Sequence, residues 1–429
     1  MGQTCGKRGG ACAPPHVAVR RAGDTSVEMP ESQFVQLVTA ACKADNTDQI
    51  RNLNRNHPDL MSQVVNKLVD GTFPLAIAFK SGSIGVFKCL VEECGALPFF
   101  QDEIGLNVLM MCTMAYDDED DVMPFVEYLM ERAAEDDLYL QRNGGISALN
   151  YACYYERPKM LKYFLDNCKV DPSRCINHMT GMGLLPTAIQ TGNSVTVSLL
   201  LGHQKEYYLT EKDYGGFGPL CIAANEVTCL DESKIRIFEM ILKESPDIFE
   251  HGWNGNQAIH FCALHGQETL VGVLLDEGAN VCVPNFYGLT PMHMAMMNPL
   301  VSVSMLKQLV DRGADINARA KNGDTILHLA VRHQSKGDNN NQVMCSRDIF
   351  EYIMSCKPQT QLRNAQEGLT APDLAIHLEN SVAIEAFANH DCLGTQLGGH
   401  RPAKSRADGF VAFASTRMEN VDLRNVLVI

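Results

Sequence analysis

Apolar residues recur along the chain at spacings that predict α-helices rather than strands. The first helical face has i, i+3, i+4, i+7 spacing and consists of Phe34, Leu37, Val38 and Ala41. Asp48 is predicted to cap a second helix, which carries Ile50 and Leu53. We expect this helix pair, within residues 32–70, to cap the array that follows, because an end unit needs a polar outer face.

A segment of eight residues occurs twice, as GLTPMHMA at 288–295 and as GDTILHLA at 323–330. Extending this register predicts nine repeats within residues 71–390, beginning at Gly71, Gly105, Gly145, Gly181, Gly216, Gly255, Gly288, Gly323 and Gly368. A small residue stands seven positions after each glycine, namely Ala78, Cys112, Ala152, Ala188, Ala223, Cys262, Ala295, Ala330 and Ala375. Small side chains at this position allow stacked helices to approach closely, so the repeat predicts a helical array.

These segments closely resemble the ankyrin repeat, whose hallmark is G-x-T-P-L-H-x-A, followed by a second helix and L-L-x-x-G-A. The resemblance extends over most of the chain, from the capping helices to residue 390. It implies an all-α ankyrin-repeat solenoid, built from helix–turn–helix units with short β-hairpin fingers. It also implies a protein that binds other proteins on its concave face and fingers.

Departures from the repeat pattern predict local changes. Pro186 and Pro372 are displaced from the usual proline position, so we expect both helix starts to be reshaped. Three repeats carry extra residues, at 116–122, 227–233 and 335–346, between their first and second helices. Because polar insertions cost little there, we expect solvated loops.

Charge divides the chain into an acidic body and basic ends. The 36 Lys and Arg against 51 Asp and Glu give a net charge of −15. Residues 1–23 carry +4 and residues from 401 onward carry +2, which leaves −21 for the body. This balance argues against a general nucleic-acid binder and favours basic protein partners.

The termini and cysteines indicate the cellular setting. Residues 1–31 are predicted to be a basic flexible tail, and residues 391–429 a flexible C-terminal tail. The 16 cysteines have no paired C-x-x-C spacing, which favours a reduced compartment. Without an N-terminal apolar core or a long apolar stretch, we expect a cytoplasmic protein.

Candidate catalytic and metal-binding groups have structural explanations. His260, His293 and His328 recur in register, and the resemblance implies that this histidine hydrogen-bonds the threonine hydroxyl, here Thr290 or Thr325, and nearby backbone. The sequence contains no G-x-S-x-G, phosphate-loop or H-E-x-x-H motif. We therefore expect no catalytic residues, no metal site and no cofactor.

Aromatic residues mark the candidate partner-binding site. Tyr214, Trp253 and Phe286 each stand two positions before a repeat glycine, and Phe217 and Tyr287 lie beside them. Exposed aromatic residues in register are typical of interface hot spots. Packing between neighbouring fingers is the alternative, and residues of this kind often do both. We predict a ligand groove in repeats five to seven.

Two modification sites are also predicted. Asn317 follows Leu309 and Asp315 in a pattern that resembles the one used by the asparaginyl hydroxylase of ankyrin hairpins. Gly2, with Cys5 available for palmitate, resembles an N-myristoylation start, although Gly6 replaces the expected Ser or Thr. The sequence thus predicts a non-catalytic cytoplasmic adaptor or scaffold, with a lipid-anchored membrane adaptor as the alternative. It does not indicate an oligomeric state.

Overall fold

The computed structural model describes residues 29–68, 71–115, 118–227, 231–244, 246–332, 347–390 and 392. The regular secondary structure of these residues is almost entirely helical, and the residues divide into two compact units. The first unit contains residues up to 226 together with 232–246, and the second contains 227–231 and the residues from 247 onward. The predicted all-α fold class is confirmed within these units.

Three helices open the first unit, which are α1 (Glu31–Lys43), α2 (Thr47–Asn56) and α3 (Pro58–Val64). The predicted helix pair is α1 and α2, and α3 was not anticipated. The predicted cap of α2 was wrong, because the Asn46 side chain accepts a hydrogen bond from the Gln49 N–H at 2.9 Å, whereas Asp48 lies within the first turn. Phe34, Val38 and Ala41 are buried, as their spacing indicates.

Nine helical hairpins follow along the described part of the chain. The first helices are α4 (Pro74–Lys80), α6 (Val108–Met114), α8 (Ala148–Tyr154), α10 (Leu184–Thr191), α12 (Pro219–Glu226), α14 (Ala258–Leu264), α16 (Pro291–Met297), α18 (Ile326–Arg332) and α20 (Ala371–His377). The second helices are α5 (Ile84–Glu92), α7 (Glu119–Met130), α9 (Pro158–Asn167), α11 (Ser194–Thr210), α13 (Glu232–Lys243), α15 (Glu268–Asp276), α17 (Val303–Asp311), α19 (Arg347–Ser355) and α21 (Ser381–Asn389). Each first helix begins three residues after a repeat glycine.

The core of each unit lies between stacked first helices. The small residues at the seventh position are all fully buried or nearly so, including Cys112 and Cys262. The apolar residues four positions after each repeat glycine, from Leu75 to Leu327, are buried beside them. Apolar burial of this kind is the main contribution to the stability of stacked repeats.

The expected reshaping at two prolines was wrong. Helix α10 begins at Leu184 and α20 at Ala371, in the same register as the other first helices. Pro186 is the third residue of α10 and Pro372 the second of α20. The first four N–H groups of a helix have no intrahelical partner, so a proline there removes no helical hydrogen bond.

The first polar insertion is partly helical, which corrects the expectation of a loop. Glu119, Asp120 and Asp121 form the first turn of α7, and the Asp118 side chain accepts a hydrogen bond from the Asp120 N–H at 3.1 Å. Negative charge is favourable at a helix N-terminus, so the acidic run starts a helix. Glu119 is buried and accepts hydrogen bonds from the backbone of Lys159 and Met160 in α9.

Fingers precede the first helices, and one of them contains a short antiparallel pair, β1 (Gln141–Arg142) and β2 (Ile146–Ser147). Arg363 and Thr370 form an isolated antiparallel bridge in the last repeat. All nine repeat glycines have positive φ, between 69° and 83°, which favours glycine over residues with a Cβ. No helix among the described residues is long and apolar enough to cross a membrane.

Candidate functional site

Tight turns present the aromatic residues of the fingers. In the seventh repeat, Asn285 is buried, and its side-chain oxygen accepts hydrogen bonds from the N–H groups of Tyr287 and Leu289, both at 2.9 Å. The Gly288 N–H closes the same turn on the Asn285 carbonyl at 2.9 Å. Phe286 and Tyr287 therefore occupy the top of a rigid turn.

The first unit carries Tyr214 and Phe217 in the finger of the fifth repeat. Tyr214 is 67% exposed, and its N–H donates to the Thr180 carbonyl of the preceding finger at 3.2 Å. Its ring lies against Gly181, where a Cβ would collide with the ring atoms. Phe217 is half-buried, and its N–H donates to Asp213 at 2.9 Å. Tyr214 therefore both packs on a neighbouring finger and remains accessible.

The second unit carries Trp253, Phe286 and Tyr287, which are 54%, 52% and 37% exposed. The Phe286 N–H donates to the Asn254 carbonyl at 2.9 Å, and its ring contacts the His251 ring edge-on, with centroids 5.3 Å apart. These contacts place Phe286 directly beside the turn that carries Trp253. The predicted groove uses residues of both units, and its continuity between them stays a prediction.

Met179 is an exposed residue of the same register that sequence reasoning missed. It also stands two positions before a repeat glycine, is 66% exposed, and lies near Gly144. The register alone could have identified it, but its side chain is not aromatic. Methionine is also common at adaptable binding surfaces, so Met179 extends the first unit's candidate site.

The histidines in register have the structural role that the resemblance implies. The Thr290 hydroxyl lies 2.8 Å from Nδ1 of His293, and the Thr325 hydroxyl lies 2.9 Å from Nδ1 of His328. Nδ1 of His260 accepts the Gln257 N–H, so Nε2 carries the hydrogen and donates to the Val283 carbonyl at 3.1 Å. Burial lowers the pKa of His260 and of His293 to about 4.

The other predicted site residues differ in what surrounds them. The side-chain oxygen of Asn317 accepts the Gln359 N–H at 2.7 Å, which joins two successive hairpins. Its hydroxylation stays a prediction. Gly2 and Cys5 lie outside the described residues. Within the described part of the chain, no group of three or more His, Cys, Asp or Glu side chains is arranged to hold a metal ion.

An open groove of about 870 Å³ runs between α11 and α13 in the first unit. Helix α11 is interrupted at Gln204, whose φ and ψ are −140° and 59°, and the groove lies along this kink. Lys205 and Glu244 form an ion pair of 3.0 Å within it. The repeat pattern does not indicate this kink or the helical residues that continue beyond it to Thr210, which make α11 longer than the other second helices.

Glu211 is a buried acid immediately before the Tyr214 finger. It is 7% exposed, and neither carboxylate oxygen has a hydrogen-bond partner in the described structure. Burial raises its pKa to about 7. The carboxylate occupies the space that a side chain at Gly183 would fill, at the N-terminus of α10. It lies beside this helix N-terminus but accepts no hydrogen bond from it.

Comparisons with known proteins identify the repeats. A family model described as ankyrin repeats in three copies matches residues 226–320 and 259–364, and a single ankyrin repeat model matches residues 144–174. The matched segments include parts of both units. Ankyrin repeats indicate a protein–protein interaction module.

Several curated proteins are similar over part of the chain. A BTB/POZ domain and ankyrin repeat-containing protein, NPR3 of Oryza sativa subsp. japonica, is 29% identical over 36% of this chain and 28% of its own length. The human ankyrin repeat domain-containing protein 53 is 36% identical over 18% of this chain and 15% of its own. The nuclear factor NF-kappa-B p105 subunit of Gallus gallus is 31% identical over 23% of this chain and 10% of its own length. The matches thus span less than a third of each relative.

Proposed function

Because the chain is an ankyrin repeat protein, we propose that it is a non-catalytic adaptor or scaffold, and that its finger aromatics bind a protein partner. The observation that carries this proposal is the exposure of Tyr214, Trp253 and Phe286 on rigid turns in register. Large, rigid aromatic side chains bury much area on binding and lose little conformational entropy. Specificity for the partner would depend on which fingers carry aromatic side chains.

The proposal includes a cytoplasmic location and a partner whose charge complements the acidic body. A net charge of −15 accelerates encounters with basic proteins and slows encounters with acidic ones. A membrane-anchored adaptor acylated at Gly2 is the second candidate, supported only by the N-terminal sequence. If this candidate is correct, a Gly2→Ala variant should move from the membrane fraction to the supernatant.

Replacing Tyr214, Trp253 and Phe286 together with alanine is expected to abolish partner capture from native cytosol. Hot-spot aromatics each contribute on the order of 2 kcal/mol, so affinity should fall about a hundredfold or more. Affinity capture with the intact chain and the variant, followed by mass spectrometry, measures the loss. Helical circular dichroism should be unchanged, because all three side chains are more than half exposed.

A matched control replaces two exposed apolar residues outside the fingers. Val195, in the first turn of α11, is 56% exposed, and Leu300, between α16 and α17, is 80% exposed. The Val195→Ala, Leu300→Ala variant should capture the same proteins as the intact chain. If the finger variant also captures them unchanged, the proposed site is wrong.

A further inference from the structure

The fingers of the eighth and ninth repeats present basic side chains beside the aromatic residues. Arg319, Lys321 and Arg363 are all exposed. The Lys321 N–H donates to the Tyr287 carbonyl at 2.8 Å, so this lysine lies next to the aromatic turn of the seventh repeat. Aromatic and basic residues therefore form one continuous edge within the second unit.

Backbone contacts fix the two arginines on this edge. The Arg319 guanidinium donates to the Arg363 carbonyl at 2.8 Å and passes close to Gly323. The Arg363 guanidinium donates to the Gly368 carbonyl at 2.7 Å. Bonds of this kind hold each planar group in place and leave further N–H donors free for a ligand.

Two carboxylates of these two fingers, those of Asp324 and Glu367, are turned away from solvent. Asp324 is 3% exposed, accepts hydrogen bonds from Asn322 and Asn364, and lies 3.4 Å from the Arg332 guanidinium. Glu367 pairs with Arg332 at 2.9 Å. These two acids are therefore neutralised inside the fingers, whereas Arg319, Lys321 and Arg363 are exposed.

The cations of the edge have little compensation. Among the described residues, no carboxylate lies within ion-pair distance of Arg319 or Lys321. Arg363 lies 3.7 Å from the exposed carboxylate of Asp373, and an exposed pair of this length contributes little. Asp315, the other acid of the eighth finger, accepts the Asn317 N–H. The two fingers thus present three exposed cations against the exposed carboxylates of Asp315 and Asp373, on a chain whose net charge is −15.

We propose that this edge binds a protein segment in which an apolar or aromatic side chain is flanked by Asp or Glu. The edge comprises Trp253, Phe286, Tyr287, Arg319, Lys321 and Arg363. Aromatic and arginine side chains are the residues most enriched in interface hot spots. This inference rests on the proposed binding by finger aromatics, and it assigns that site an acidic segment in place of the basic partner that net charge alone favours. The charges close to a bound segment dominate its electrostatic interaction with the protein, because physiological salt screens charges that lie more than about 8 Å away.

Peptide selection with the full chain tests this proposal. A random peptide library displayed on phage is selected against the immobilised protein, and enriched peptides are synthesised and titrated. Enriched sequences should combine an apolar residue with net negative charge. The Arg319→Glu, Lys321→Glu variant should bind them at least about tenfold more weakly, and rising salt should weaken binding to the intact chain.

Lys307→Glu is the matched control, because Lys307 is an exposed lysine of α17 outside the fingers. Its binding should equal that of the intact chain. Basic or neutral enriched peptides, or binding that survives the double reversal, would overturn the inference. If duplex DNA competes as strongly as the acidic peptides, the edge binds polyanions in general and the proposal of a protein segment is wrong.

The same peptides separate this inference from the proposed function. If binding of these peptides depends on Trp253 and Phe286 but survives both charge reversals, the aromatic site is supported. Only the inference of an acidic partner is then wrong. Peptides that bind the triple-alanine variant unchanged would overturn the proposed function itself.

Discussion

Replacing Glu211 with glutamine is expected to stabilise the chain above pH 7 and to change its stability little near pH 5. The folded protein raises the pKa of Glu211 from 4.5 to about 7 because the carboxylate is buried. A raised pKa means that the folded state binds the proton more tightly than the unfolded state. This contribution to stability is fully present below the unfolded pKa and is lost as pH rises toward about 7.

The size of the effect follows from the pKa difference, which corresponds to about 3 kcal/mol. Glutamine has nearly the same shape as the acid and cannot ionise, so the variant avoids the cost of burying a charge. Urea unfolding of both proteins at about pH 5 and about pH 8 measures the difference in the free energy of unfolding. The variant should be more stable at the higher pH only.

Neighbouring groups do not supply an alternative source of this pH dependence. Cys153, Cys175, Tyr207 and Tyr208 surround Glu211, and burial raises the pKa of each of them. They therefore remain neutral across this range. The buried histidines act in the opposite direction, since their lowered pKa values destabilise the fold as pH falls below 6.5, but they are common to both proteins.

Glu206 provides the control, because it is exposed on the same helix α11. The Glu206→Gln variant should follow the intact chain at every pH. If the free energy of unfolding of the Glu211→Gln variant also runs parallel to that of the intact chain, the carboxylate is not buried without partners, and this account of Glu211 is wrong.

Replacing Gly255 with alanine is expected to destabilise the second unit by about 3 kcal/mol. Two costs combine at this position. The φ of Gly255 is +79°, which costs a residue with a Cβ about 1–2 kcal/mol. A Cβ would also lie 2.6 Å from the Phe286 backbone nitrogen and 2.7 Å from its ring, and overpacking of this kind costs about 1–3 kcal/mol.

Gly71→Ala separates the two costs. Gly71 has a similar φ of +76°, but no other atom of the described residues lies within 4 Å of the added Cβ. This variant should lose only the backbone contribution, about 1–2 kcal/mol. Equal losses in the free energy of unfolding for the two variants would show that the Phe286 finger does not pack on Gly255. Phe286 would then not be held at its observed position.

Sequence reasoning predicts the repeat framework because that framework depends on local constraints. Glycine is favoured where φ is positive, as at Gly255, and a small residue is required where first helices touch, as at Cys262. Both requirements recur in each repeat and can be read from spacing. The exposure of Tyr214, Trp253 and Phe286 also follows from their position in the turn.

Other features depend on contacts between residues far apart in the chain. The burial of Glu211 depends on Gly183, which lies 28 positions earlier in the chain. The inward orientation of Asp324 depends on Arg332 and Asn364, which lie outside its own turn. A repeat pattern specifies where a finger is and cannot specify which of its charges are neutralised. This is why net charge alone pointed to basic partners.

Amide hydrogen exchange of the intact chain, alone and with its captured partner, tests the central claim most directly. The account predicts slower exchange on binding in the finger turns at 213–217, 252–255 and 285–288, with little change in the second helices. Protection confined to the groove between α11 and α13, or to the connections between first and second helices, would contradict it.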